Sequence, residues 1–509
     1  MNHIFLYYIL VQVYPSEMAI EMTVNKIGND NENREDHRHV NTNSSNFNNV
    51  VQETRKIWPI LNRRGISTQN SNQSRSYQVG PGISRPRILF SNDTSGLVER
   101  ERKLKETIFQ DPESFHCAIG RILVVAQCFG LLPVSGVLST SPKGLIFRKK
   151  SFRTIYATIL SLTMMIVAIS SLVHMVRSID THTFEITGGI GAATSGAVFY
   201  GNSVLASLIF LWLAPRWAPL QHEWRAMEHL IERWGRPRLR RKFSVITAIV
   251  LLCALTEHIL SMIKNAPSYR WKLPKNASFE NFIYEYSVNS HHFIIAIWDY
   301  NVFVGVFLFF VSKIATFTWN FTDLFVMLVA TGLAETFKTL NKRMISPNAA
   351  TPTIGEWRIL RENYAALSSL VKRVDNDVSP IVLLSFANNL YFICLQLLNG
   401  LSPDEDGILN SVYFFGSFTF LVARTVGVTL LAARINDQSR IALPVLYTCP
   451  AKAYCIETQR LEHQLATDEI ALSGLKFFSI TRNFMLAVAG AIVTYEVVLL
   501  QFNLAINHN

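Results

Sequence analysis

"FMLAVAGAIVTYEVVLLQFNLAI", Phe484 to Ile506, closes a chain of 509 residues with an almost unbroken apolar run. At a helical rise of ~1.5 Å per residue it covers about 34 Å, enough to cross the ~30 Å hydrocarbon core of a bilayer. Thr494, Tyr495, Glu496 and Gln501 interrupt it. A carboxylate at that depth is costly, so its presence marks a function or a partner.

Comparable runs lie upstream at about 153–176, 189–214, 243–264, 298–331, 379–400 and 411–433. Hydrophobic residues make up 49% of the chain and charged ones 17%, which excludes the several soluble domains that length alone would suggest. An eighth candidate, 118–138, contains Arg121, Gln127, Gly130 and Pro133 and runs into the basic "FRKKSFR" of 147–153. It reads as an interfacial or re-entrant helix, leaving an all-α membrane protein of seven spans.

Loop charge orients those spans. Segments 148–153, 215–242, 333–378 and 434–478 hold 4, 8, 7 and 5 Lys or Arg, against 1, 3 and 0 in 177–188, 265–296 and 401–410. The positive-inside rule therefore puts the N-terminus in the cytoplasm and the C-terminus outside. The expected organisation is a disordered Asn- and Ser-rich cytoplasmic tail (1–110), then the interfacial helix and four spans (111–332). Cytoplasmic anchor helices (333–378), spans five and six (379–433), further anchor helices (434–481) and the last span with a short exterior end (482–509) complete it.

This orientation exposes the sequon at Asn276 to glycosylation and silences those at Asn43, Asn72 and Asn92, while Asn320-Phe321-Thr322 lies inside a span. None of the six Cys falls in an exterior loop, so no extracellular disulfide is expected, and Cys449 and Cys455 read as free thiols. The opening "MNHIFLYYILVQVYPSEMAI" has neither the basic start nor the cleavage site of a signal peptide. The net charge of +11 sits beside the apolar runs, where it suits anionic lipid rather than nucleic acid.

Ionisable residues fall within spans, among them Glu257, His258, Lys313, Asp323, Arg424 and Glu496. Arg424, roughly 20 Å deep from the exterior, and Glu496, roughly 15 Å deep, are an expected ion pair, with water or other partners as the alternative. Nearer the outside, Glu257, His258, Trp298, Asp299, Tyr300, Asn301, Asn389 and Tyr391, with Thr194, Ser195, Phe199, Tyr200 and Asn388, are a candidate ligand site. Rings that pack on C–H faces, beside carboxylates and amides that bond hydroxyls, suit a polyhydroxylated ligand. The competing reading is an interfacial aromatic belt. Adjacent His291 and His292 point apart on a helix and make no metal site; neither a cofactor nor an enzyme's nucleophile–base spacing is evident.

In the last span, Thr494, Tyr495, five residues, then Gln501 and Phe502 resemble the signature of insect gustatory receptors. Glu496 directly after the tyrosine resembles the variant of the sugar-receptor branch, as does "FHCAIGRILVVAQCFGLLPVSGVL" (115–138). The resemblance spans roughly 110–506. It implies a sugar-gated, non-selective cation channel in the plasma membrane of sensory neurons, a homo- or hetero-tetramer of related subunits. By it, Gln501 belongs on the pore wall, Phe502 or Leu500 at the constriction, Thr494 and Tyr495 at subunit contacts, and the sugar in the outer half of each bundle. The rival readings are a chemoreceptor of the same channel family for a non-sugar tastant and a seven-helix G-protein-coupled receptor; the charge asymmetry and the lack of a D-R-Y-like triplet or an N-P-x-x-Y run oppose the latter.

Overall fold

The computed structural model describes residues 112–181, 189–266, 278–345, 352–400 and 408–507. The N-terminal tail and the Asn276 sequon lie outside them. The helices in chain order are α1 (Phe115–Cys128), α2 (Phe152–Thr181), α3 (Gly189–Ile231), α4 (Leu239–Asn265), α5 (Phe279–Ser290) and α6 (His292–Trp298). Then come α7 (Val302–Ile345), α8 (Ile354–Gly400), α9 (Ile408–Arg440), α10 (Leu443–Tyr447) and α11 (Ile456–Thr467). A short antiparallel hairpin, β1 (Ser473–Gly474) and β2 (Phe478–Ser479), precedes α12 (Arg482–Asn507).

Among the described residues α2, α3, α4, α7, α8 and α9 are long and apolar enough to cross a bilayer. The 26-residue α12 occupies the seventh expected span. Outward-facing Ile155, Ile159, Leu162, Ile166 and Ile169 on α2, and Ile249, Leu252 and Leu255 on α4, form the apolar surface that such a helix turns to lipid.

α7 is the axis of the fold. It packs against α3, α4, α8 and α9, and residues 320–337 are buried without a break. A helix enclosed on every side must be apolar all round or find partners for its buried polar groups, and α7 takes the second course at Asn320, Asp323 and Glu335. With 43, 44 and 47 residues, α3, α7 and α8 reach about 65–70 Å, twice a bilayer core. The apolar limits at 214, 331 and 379 are thus changes of surroundings, not helix ends. Beyond them Trp217, Trp224, Phe337, Leu360, Tyr364 and Leu367 are buried in the same continuous core.

Polar contacts join these extensions. Glu335 on α7 pairs with Lys242 of α4 and, at 2.6 Å, with Arg434 of α9. Arg361 of α8 pairs with Glu457 of α11, and Lys372 with Asp468 at 3.1 Å.

Three expectations change. α1 does not keep its apolar face for lipid: that face is buried against protein, with Phe115 stacked at 3.7 Å on Trp224 and edge-on to Phe243. Gly120 lets the following loop lie across it, because a Cβ there would stand 2.1 Å from the Val137 carbonyl oxygen. The fourth span starts at Val302 rather than 298; Asp299, at φ 41°, breaks the chain direction, and Asn301 caps α7 by accepting from the Phe303 N–H at 3.1 Å.

The third change falls within the anchor helices expected over 434–481, where the stretch 453–478 is helical only over Ile456–Thr467. After it Ile470 and Leu472 are both buried, an alternation that belongs to extended chain, and Leu475 and Lys476 turn through left-handed conformations. Asp375 on α8 holds this hairpin, accepting from the Ser473 N–H at 2.6 Å and from its hydroxyl.

Candidate functional site

Mid-bundle, α3, α7 and α8 carry polar side chains on the faces they turn to one another. On α7 the run is "TWNFTD" (318–323), four hydrogen-bonding residues and an indole within six positions. Their burial requires partners, since an unpaired polar group in a dry core costs about 1–3 kcal/mol.

Between these helices lies a narrow cavity of about 10 Å³, room for one water-sized sphere. Phe199 and Trp319 form its aromatic walls. Asn202 and Ser203 from α3, Thr322 from α7, and Ser385 and Asn388 from α8 supply amide and hydroxyl groups. Asn202 donates to Asn388 at 2.7 Å, which fixes the amide of Asn388 with respect to α3. Among the described residues no charged side chain lines the cavity.

Beside the cavity sits a buried ion pair. Nε of Arg424 on α9 lies 2.8 Å from Asp323 Oδ2 on α7, an ion contact without an aligned hydrogen bond. The two side chains are 2% and 0% exposed, so water gives them almost nothing. Arg424 instead donates to Asn320 and, at 3.2 Å, to Asn389 Oδ1, and its guanidinium lies 4.6 Å over the Trp319 ring. Asp323 accepts from Ser385 and, at 3.0 Å, from Asn389. Each charge thus has both an opposite charge and hydrogen bonds, the condition under which a buried pair is tolerated.

The expected ligand residues separate into three places. Asn389 belongs to the ion-pair network, and Tyr391 hydrogen-bonds Thr194 at 2.8 Å between α8 and α3, one turn from Asn388. Glu257 on α4 accepts from Ser417 of α9 at 3.2 Å, which accepts in turn from Gln396 of α8; among the described residues the buried Nε2 of neighbouring His258 has no hydrogen-bond partner. Trp298, Asp299, Tyr300 and Asn301 lie elsewhere, at the α6–α7 corner, where Tyr300 meets Tyr284 edge-on and Trp298 stacks near Phe307. That corner is about 27 Å along α7 from Trp319. A helix places residues by position along its axis as much as by face, and these share neither with Asn389.

Arg424 takes Asp323 as its carboxylate partner, where sequence depth suggested Glu496; the side chain of Glu496 lies outside the described residues, as do those of Leu500 and Phe502. Trp319, Asn202, Ser203 and Ser385 were not singled out from sequence, although the polar density of 318–323 inside an apolar helix was the available signal. On α12, Thr494, Val497, Val498 and Gln501 are exposed in the single chain, and the helix packs on α8 and α9.

The family profile described as "Trehalose receptor" matches residues 90–508. The chain belongs to the trehalose receptor family. Within that family it is 33% identical over 419 residues to "Gustatory receptor for sugar taste 64f" of Drosophila melanogaster, an alignment covering 80% of this chain and 85% of that one. It is 32% identical over 424 residues to "Gustatory receptor 5a for trehalose" of the same fly, covering 82% and 92%. Its fold is similar to that of the insect olfactory receptor OR5 from Machilis hrabei, with a TM-score of 0.56 at 12% identity over 81% of this chain and all of that one. The same receptor in complex with eugenol gives 0.53 at 13% identity, over 75% and 97%. Membership of a family of gustatory receptors also sets the enzyme class aside.

Proposed function

We propose that this protein is a taste receptor that opens a non-selective cation path when a sugar binds between α3, α7 and α8. The observation that carries the reading is the cavity itself: two aromatic walls, five hydroxyl or amide side chains and no charge. Such a lining matches a neutral ligand with apolar C–H faces and a rim of hydroxyls. The sugar tastes and trehalose named for its relatives agree with that chemistry.

The cavity is smaller than a sugar ring, so occupancy requires the three helices to move apart. A sugar that binds this opened arrangement better than the narrow one shifts the population by that difference in affinity. In this reading four subunits place α12 around a central path, in the plasma membrane of sensory neurons. Gln501 lines the path, Leu500 or Phe502 closes it by dewetting, and Thr494 and Tyr495 meet neighbouring subunits. The exposure of Thr494 and Gln501 on α12 supports that placement, because polar side chains in an apolar span are disfavoured against lipid and suit a water-filled path.

Expression of the protein alone, with whole-cell currents recorded against trehalose, sucrose, maltose, glucose, fructose, polyols and bitter compounds, tests the reading. Sugar-evoked cation currents are expected. Currents to bitter compounds alone would overturn the ligand class, and an externally tagged N-terminus would overturn the channel topology in favour of a G-protein-coupled receptor.

A further inference from the structure

We infer that Arg424 is the positioning residue through which occupancy of the cavity reaches the last helix, setting how far the channel opens rather than how tightly sugar binds. The inference rests on the sugar-gated reading above and assigns a role within it.

The geometry supplies the route. α9 contributes no side chain to the cavity, yet α12 packs on α9 and α8. Arg424 is where α9 joins the polar network next to the cavity, and two cavity residues touch that network directly. Ser385 donates its hydroxyl proton to Asp323, and Trp319 lies under the guanidinium while its indole N–H donates to Asn389 at 3.4 Å. Ser417, seven residues before Arg424 and so on the same face of α9, adds a second tether through Gln396 of α8 and Glu257 of α4.

A sugar entering the cavity must displace the Trp319 ring or compete for the Ser385 hydroxyl. Either change alters the hydrogen bonds on Asp323 and Asn389. An ion pair this deeply buried cannot be left half satisfied, because an uncompensated charge there costs more than a helix shift. Arg424 therefore follows its partners, and α9 moves against α12. The guanidinium suits this task because it reaches Asp323, Asn320 and Asn389 at once from one rigid plane, which a lysine ammonium does not reproduce.

Arg424→Lys separates the role from bulk stability by keeping the charge. Maximal current at saturating trehalose, or at the panel sugar giving the larger wild-type response, is measured per receptor at the cell surface, alongside equilibrium binding of that sugar to purified protein. The expected result is a fall in maximal current of about fivefold or more with sugar still bound. Asn320→Ala, which removes one Arg424 contact without touching the cavity wall, is expected to move current and binding in the same way and serves if Arg424→Lys does not reach the surface. Undiminished maximal current at saturating sugar in both variants would overturn the inference, as would loss of binding in step with current. Absence of sugar current in the wild type would instead sink the sugar-gated reading, and the inference with it.

Discussion

Asp323 has no exposed surface, and its charge is met by Arg424, Ser385 and Asn389. Asp323→Asn should therefore destabilise the purified receptor by about 3–5 kcal/mol, since it strands the guanidinium. Replacing both partners, Asp323→Leu with Arg424→Met, should cost less than the single change. Thermal unfolding in detergent checks the order, and a double variant as unstable as the single one would refute the pairing. His291 poses a different electrostatic problem at the extracellular corner predicted for α5 and α6. Burial, with Lys313 and His292 nearby, lowers its pKa to about 3, while Tyr200 and Ser290 hydrogen-bond its two nitrogens. In the unfolded chain it takes a proton near pH 6.5 that the folded corner refuses, so stability is full above about 6.5 and declines as pH falls toward 3. By pH 5 the loss from this one group is about 2 kcal/mol. His291→Asn should flatten the acid limb of a Tm-against-pH curve; an unchanged limb would show that other groups set it.

Among the elements, α1 departs most from its sequence reading. Its Phe115 lies between Trp224 of α3 and Phe243 of α4, fully buried. Phe115→Ala should cost about 3–5 kcal/mol in thermal unfolding, the range for a buried ring lost from a packed core, where a lipid-facing residue would cost almost nothing. α12 shows a different pattern. Phe484 stacks on Phe478 of the hairpin at 4.5 Å and meets Phe386 of α8, while its later turns expose Val493, Val497, Val498 and Gln501. If that stripe faces the ion path, Gln501→Glu should raise the permeability of divalent over monovalent cations several-fold without altering sugar binding. Reversal potentials in mixed-cation solutions measure this, and an unshifted value would remove Gln501 from the path.

Across the whole molecule, α7 joins the regions with separate chemistry. It carries Trp319 and Thr322 of the cavity, Asn320 and Asp323 of the ion pair, then Glu335 among the cations of α4 and α9. A single helix some 66 Å long with a continuously buried centre transmits a shift rather than absorbing it, because close-packed interiors deform little. The same economy explains the long α3 and α8: each crosses the bilayer and then packs a further core, so that movement near the cavity is also movement of the extensions.

Sequence alone marked the apolar runs, because exclusion of charge from ~20-residue runs is a property of composition. It also marked Asp323 and Arg424 as charges inside those runs, and the last-span signature pointed to the family. What it could not determine was partnership. Depth alone offered Glu496 to Arg424 with other partners left open, and it took the rotation of α7 and α9 about their axes to bring Asp323 against the guanidinium. Composition likewise marked α1 and 453–478 as amphipathic, but whether an apolar face meets lipid, a helix or a buried carboxylate such as Asp375 depends on what the rest of the chain brings beside it. Periodicity states which residues share a face; tertiary packing chooses what that face touches.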